Sequence, residues 1–205
     1  MVFYVWRHPK PIGADGFCIG QTDIDVDKRK LKRLANKIQR FVRLHQLPKV
    51  VWVSPLQRSL KVGQILAQRG FHYHIAPELA EIHFGVWDGQ PWPQIAKQEI
   101  DNWCDSFTDF APEDGESLQQ LFNRTEAWLN KMAMQRTMQT VQNSKDSPIL
   151  VIGHAGWINA ASMIVAGQEV PKIATEWPRP VNYLERRQLN FQPKKLTIYH
   201  DQFFG

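Results

Sequence analysis

Three short apolar runs constrain the fold of this chain more than any other feature. Residues 2–6 (VFYVW), 49–53 (KVVWV) and 148–152 (PILVI) are too short for buried helices and rich in β-branched and aromatic side chains. Each reads as a buried strand. Each run also stops abruptly at polar residues. Arg7-His8-Pro9 closes the first, where a proline cannot continue strand pairing. Ser54-Pro55 closes the second, and Pro55 suits the first turn of a helix running to about residue 69. Gly153-His154-Ala155-Gly156 closes the third, before a helix to about residue 165.

Between and after these runs the periodicity changes. Residues 28–45 place Leu31, Leu34, Ile38, Phe41 and Val42 on one helical face, with Lys and Arg opposite. Residues 71–75 are a short strand candidate. Residues 76–91 keep no clean period and carry Pro and Gly, which marks a long functional loop. Helices are predicted over 92–110, rich in aromatics and acids, and over 117–139. A polar turn covers 143–147, and residues 183–189 and 196–200 read as two late strands joined at Pro193. The order βαβα, insertion, βα, ββ predicts an α/β fold. It has three layers, with a mainly parallel central sheet flanked by helices. The 205 residues suit a single domain, with a cap-like insertion at about 76–139 and no linker that demands a second unit.

Composition narrows the function classes. An apolar content of 43% with 22% charged residues is that of an ordinary globular protein, and a formal net charge of +5 suits an anionic ligand. Cys18 and Cys104 form no ligand pattern, so a reducing cytoplasmic setting is expected. No apolar stretch is long enough to span a bilayer, so no membrane partner is expected. The basic stretch 28–43 reads as the solvated face of an amphipathic helix. No aromatic platform or known module accompanies it, so no nucleic-acid partner is expected. His72 and His74 share one face of a strand, but no Cys or carboxylate cluster stands nearby, so no metal site is expected there.

Parallel strands place their carboxyl ends on one side of the sheet, so polar residues just past those ends converge. The convergent set is Arg7, His8, Arg58 and His154, with Glu78, Glu81 and Asp88 from the long loop. That set suits a phosphate monoester. Guanidiniums hold phosphoryl oxygens in pairs. Helix N-termini add backbone donors. An imidazole can attack phosphorus, and a second one can stabilise the transition state. A carboxylic acid can protonate the leaving alkoxide. Gln21 and Thr22 read as turn residues after the first strand, and Gln21 is a further candidate, as a phosphate or substrate contact.

Five motifs stand in order along nearly the whole chain: RHP at residues 7–9, SPLQR at 54–58, LAEIHFGVWDG at 79–89, GES at 115–117 and HAG at 154–156. Together they resemble the histidine phosphatase superfamily, the phosphoglycerate-mutase-like branch. FCIGQTDIDV at 17–26 is similar to the corresponding stretch of bacterial α-ribazole phosphatases. The resemblance implies a phosphoglycerate-mutase-like fold and hydrolysis of a small phosphate ester, α-ribazole 5′-phosphate in cobalamin assembly. It implies His8 as nucleophile and Glu81 as acid and base. Arg7, Arg58 and His154 would line the phosphate pocket. No cofactor and no metal would take part. The chain departs from the family pattern at four places: Pro9 for Gly, no Glu-Thr and Asn after the first motif, Asp88 for Glu, and Gly153 for Thr or Ser. The first two argue against a mutase. Rival expectations are a phosphatase of another small ester, a phosphoglycerate mutase, or a non-catalytic phospho-ligand or nucleic-acid binding module.

Overall fold

The computed structural model describes residues 1–139 and 147–193. The three apolar runs become β1 (Val2–Arg7), β2 (Val50–Val53) and β4 (Ile149–Gly153), joined by β3 (His72–Ile75) and β5 (Arg186–Asn190). They form one sheet in the order β3-β2-β4-β1-β5. The first four are parallel, and β5 runs antiparallel to β1, with Phe3 opposite Leu189 and Val5 opposite Arg187. The expected α/β class with a mainly parallel sheet holds.

The period of two along the strands feeds two apolar cores. Phe3, Val5 and Val151 face one side of the sheet, against α4 (Leu118–Gln139) and α5 (Ala155–Val165). Trp6, Val51, Val53, Leu150 and Ile152 face the other, against α1 (Lys28–Leu44) and α2 (Gln57–Ala67). Each fully buried aliphatic side chain contributes about 1.5–3 kcal/mol. The helices begin where local chemistry allows. Asp27 caps α1 by accepting from the Arg29 N–H. Ser117 and Gln120 cap α4 reciprocally: Ser117 Oγ accepts from Gln120 N at 3.2 Å, and Gln120 Oε1 accepts from Ser117 N at 2.7 Å. The Ser of the GES motif is thus a helix cap.

Three elements differ from expectation. The helix predicted over 92–110 is a 3₁₀ turn at Trp92–Gln94 followed by α3 (Lys97–Asp105). Pro93 sits within the first turn, where its missing N–H is tolerated, and the break comes after it, where Ile95 and Ala96 leave helical geometry. Ile95 is buried with Cys18 and Trp87 in a small third core. The strand expected at 183–189 begins later, at Arg186, because Leu184 turns the chain with φ +65°. The helix expected from Pro55 starts at Gln57. The strand expected at 196–200 lies outside the described residues. Stretch 76–91 is a loop with two 3₁₀ turns, Pro77–Leu79 and Gly85–Trp87. Cys18 and Cys104 are free thiols. Among the described residues, no helix is long and apolar enough to cross a membrane.

Candidate active site

The carboxyl ends of β1, β2 and β4 meet at one edge. His8 N donates to Gly153 O at 3.0 Å, and Ser54 N to Ile152 O at 3.3 Å, so the three strand ends are tied by main-chain bonds. His8, Arg58 and His154 leave solvent almost entirely, at 5%, 1% and 0% exposure. The two imidazoles stand 4.8 Å apart, centre to centre. Four of the sequence-expected residues, Arg7, His8, Arg58 and His154, therefore come together.

Hydrogen bonds fix the form of each imidazole. His8 Nδ1 lies 2.8 Å from the Pro9 carbonyl, which can only accept, so Nδ1 carries the hydrogen. In the neutral ring Nε2 then holds a lone pair. Arg58 Nε donates to His154 Nδ1 at 3.2 Å, so that nitrogen carries no hydrogen. The proton of His154 sits on Nε2, a buried atom with no hydrogen-bond partner among the described residues. His154 is thus a neutral donor and His8 a neutral acceptor. Burial pushes both imidazoles well below the ordinary value of 6.5. Arg58 is the next cause for each, and Arg7 adds to it for both.

The arginines are held differently. Arg58 also donates through Nη1 to Thr22 O at 3.0 Å and through Nη2 to Gly20 O. Arg7 donates through Nη1 to Val181 O at 2.6 Å and lies over the Tyr183 ring at 3.7 Å. The Tyr183 ring also meets His8 edge-on at 5.6 Å. Burial lowers both guanidinium pKa values, yet a guanidinium stays charged in any protein. Tyr183 was not visible in the sequence, because a lone tyrosine near a strand start carries no pattern.

The long loop brings Glu81 to the N-terminus of α5. Its Oε2 accepts from Gly156 N at 3.0 Å; its Oε1 accepts from Trp157 N at 3.3 Å and Ile82 N at 3.1 Å. A Cβ on Gly156 would overlap the Glu81 carboxylate, so a larger residue there would push that carboxylate from its present place. Glu78 points elsewhere, to Lys131 at 3.1 Å. Asp88 turns inward to the segment after β1, accepting from Gly20 N at 3.1 Å, Gln21 N at 2.5 Å and Thr22 N at 3.1 Å. The carbonyls of Gly20 and Thr22 are those that hold Arg58. Gly20 has room for no side chain, since a Cβ would overlap Ile82 O. The Gln21 amide donates to Glu81 O at 3.0 Å. Asp23 accepts from Gln57 N at 2.8 Å and so caps α2.

Two fixed cations, one imidazole lone pair and one imidazole donor can seat a tetrahedral oxyanion and attack its centre. Among the described residues, no three His, Cys, Asp or Glu side chains gather as a metal-binding group. Burial pushes the Cys18 thiol up to about 12, so it is no nucleophile.

An α/β fold with this cationic strand-end site fits a phosphate-handling protein, and the sequence profile of the histidine phosphatase superfamily (branch 1) matches residues 3–199. The chain belongs to that superfamily. It is 28% identical over 111 residues to the adenosylcobalamin/α-ribazole phosphatase of Escherichia coli, covering 52% of this chain and 51% of that protein. It is 24% identical over 131 residues to the protein of the same name from Salmonella typhimurium, covering 62% of this chain and 59% of that protein. The chain thus spans little more than half the length of the curated relatives it matches. Its fold resembles a mycobacterial glucosyl-3-phosphoglycerate phosphatase, with TM-score 0.73, 20% identity, and 92% and 89% of the two chains covered. It also resembles the α-ribazole phosphatase of Shigella flexneri, with TM-score 0.72, 21% identity, and 94% and 91% covered.

Proposed function

We propose that this protein is a metal-independent phosphomonoesterase that carries the phosphoryl group on His8 and acts on α-ribazole 5′-phosphate in the cytoplasm. One observation carries the reading. The Nδ1 hydrogen of His8 is committed to Pro9 O, which leaves Nε2 as a lone pair beside Arg58 and His154.

In the first step His8 Nε2 attacks phosphorus and the ester P–O bond breaks. Glu81, protonated, gives its proton to the departing alkoxide. Its Oε2, with a single backbone donor, has room for that proton. Arg7, Arg58 and the His154 Nε2–H hold the equatorial oxygens. In the second step water attacks phosphorus, its proton passes to the Glu81 carboxylate, and the P–N bond breaks to release phosphate and free His8. The guanidiniums supply the charge that a metal ion supplies elsewhere. The inserted region 76–139 acts as the cap that selects the ester, and Gln21 serves the site by holding the Glu81 main chain. The names of the curated relatives support the substrate.

A turnover screen tests this reading, with α-ribazole phosphate, 3-phosphoglycerate and sugar phosphates side by side. α-Ribazole phosphate should give the highest kcat/KM, with the rate unchanged by chelator and inhibited by vanadate. Preference for another ester would replace the substrate but keep the chemistry. Chelator-sensitive turnover restored by a divalent ion would overturn metal independence. No turnover of any ester would favour a phospho-ligand binding module.

A further inference from the structure

Arg124 lies on α4, outside every motif of the sequence, yet its guanidinium is directed entirely at the Glu81 loop and its support. Nη1 donates to Glu78 O at 2.8 Å and Ala80 O at 2.9 Å. Nη2 donates to Glu81 O at 3.1 Å and Glu116 Oε1 at 2.6 Å, and Nε donates to Glu116 Oε2 at 2.9 Å. A guanidinium has five N–H donors, and all five are engaged here. Glu116 extends the grip past Glu81. Its Oε1 accepts from His83 N at 3.0 Å, and its own N–H donates to His83 O at 2.8 Å.

The loop needs such a device because it belongs to no ladder. The carbonyls of residues 78, 80 and 81 have no strand partner, and a rigid planar fork meets all three at fixed angles. The Glu81 carbonyl also accepts from Gln21, so the residue is gripped from α4 and from the segment after β1. The pair is half-shielded, with side-chain exposures of 21% for Arg124 and 15% for Glu116.

We propose that Arg124 and Glu116 form a positioning pair that sets where the Glu81 carboxyl meets the leaving oxygen. This rests on Glu81 being the proton donor, as read above. An ordinary loop anchor would contribute stability alone. A positioning pair acts through Glu81, so its loss falls on esters that need a proton donor.

The test measures phosphoenzyme formation by rapid quench on an alkyl phosphate and on p-nitrophenyl phosphate, whose phenolate leaves without a proton. Arg124→Lys keeps the charge but loses the fork. It should slow the alkyl ester by about 10- to 100-fold, the usual scale for small misplacements of a catalytic group, and leave the aryl ester nearly unchanged. Glu116→Gln keeps an acceptor for His83 N, loosens the ion pair and should show the same selectivity more weakly. It serves as the second probe if Arg124→Lys folds poorly. In a Glu81→Gln background, adding Arg124→Lys should change the alkyl rate by less than about twofold, since residues acting as a unit are not additive. Equal losses on both esters, or additive losses in the double variant, would overturn the pairing. If Glu81→Gln alone shows no leaving-group dependence, the donor assignment fails instead, and the pairing with it.

Discussion

At the strand ends, position is a by-product of the sheet. His8 is fixed by a main-chain bond to β4, Arg58 stands in the first turn of α2 after β2, and His154 is the extended residue that opens α5 after β4. On the loop side the residues belong to no strand or long helix of their own and borrow their position from neighbours. Glu81 rests on backbone donors of α5, and Asp88 collects three amides of the segment after β1. The first half is held by elements that also form the core. The second is held by side chains whose main occupation is the site. Damage to the two halves should therefore look different.

The largest expected effect lies in the first half. His8→Ala should lower turnover by about 10⁴-fold or more, as loss of a nucleophile does, while the protein stays folded by circular dichroism. Activity within tenfold of the parent would refute the assignment. The parent's trapped phosphoenzyme should be acid-labile and alkali-stable.

The loop half should yield selectively. Glu81→Gln is expected to slow an alkyl ester by about 10²- to 10⁴-fold and the first step of an aryl ester far less. Equal factors on both would move the proton donor to Asp88 or Glu78.

Asp88→Asn sits between the halves, because Asp88 steadies the carbonyls that hold Arg58. One amide oxygen replaces a carboxylate that accepts three N–H groups, at about 1.5–3 kcal/mol per charge-assisted bond. The variant should weaken vanadate inhibition by about 10- to 100-fold, with Asp88→Glu recovering part of the loss. Unchanged vanadate affinity would show that Arg58 holds its place without the loop.

The smallest effect concerns pH and again separates the halves. His8 and His154 stay neutral in the fold below their ordinary value of 6.5, whereas in the unfolded chain they take up protons there. Stability is therefore full above that value and falls as pH drops below it. The slope is up to about 1.4 kcal/mol per pH unit for each histidine. Urea denaturation at pH 7, 6 and 5 should show the decline, and His8→Ala should flatten it. An unaltered slope in that variant would mean other groups govern acid sensitivity. The same low basicity keeps His8 nucleophilic in mild acid, so any acidic limb in the rate profile should not belong to it.

The comparison also explains what the sequence disclosed. Strand ends are legible because VFYVW, KVVWV and PILVI announce the strand and, to within one residue, its end, and parallel topology makes those ends converge. Glu81 is legible through its spacing to Phe84-Gly85 within a family motif. Neither Asp88 as an anchor for Gly20–Thr22 nor Arg124 as a grip on residues 78–81 had any local signal. Both contacts join segments more than 40 residues apart. A helix-surface arginine looks the same in sequence whether it meets water or a row of carbonyls. Tyr183 gives no signal for a like reason, and the helix predicted over 92–110 is broken at Ile95, whose burial against Cys18 and Trp87 outweighs a helical composition.

Arg58 shows what such anchoring does before any ligand arrives. Three of its five donors are already occupied, by Gly20, Thr22 and His154, which leaves one N–H on each terminal nitrogen. A surface arginine must give up several rotatable bonds when it grasps an anion, at about 0.5–1.5 kcal/mol per side chain ordered. Arg58 gives up that disorder once, as the chain folds, and each anion that later binds meets a side chain with nothing left to freeze.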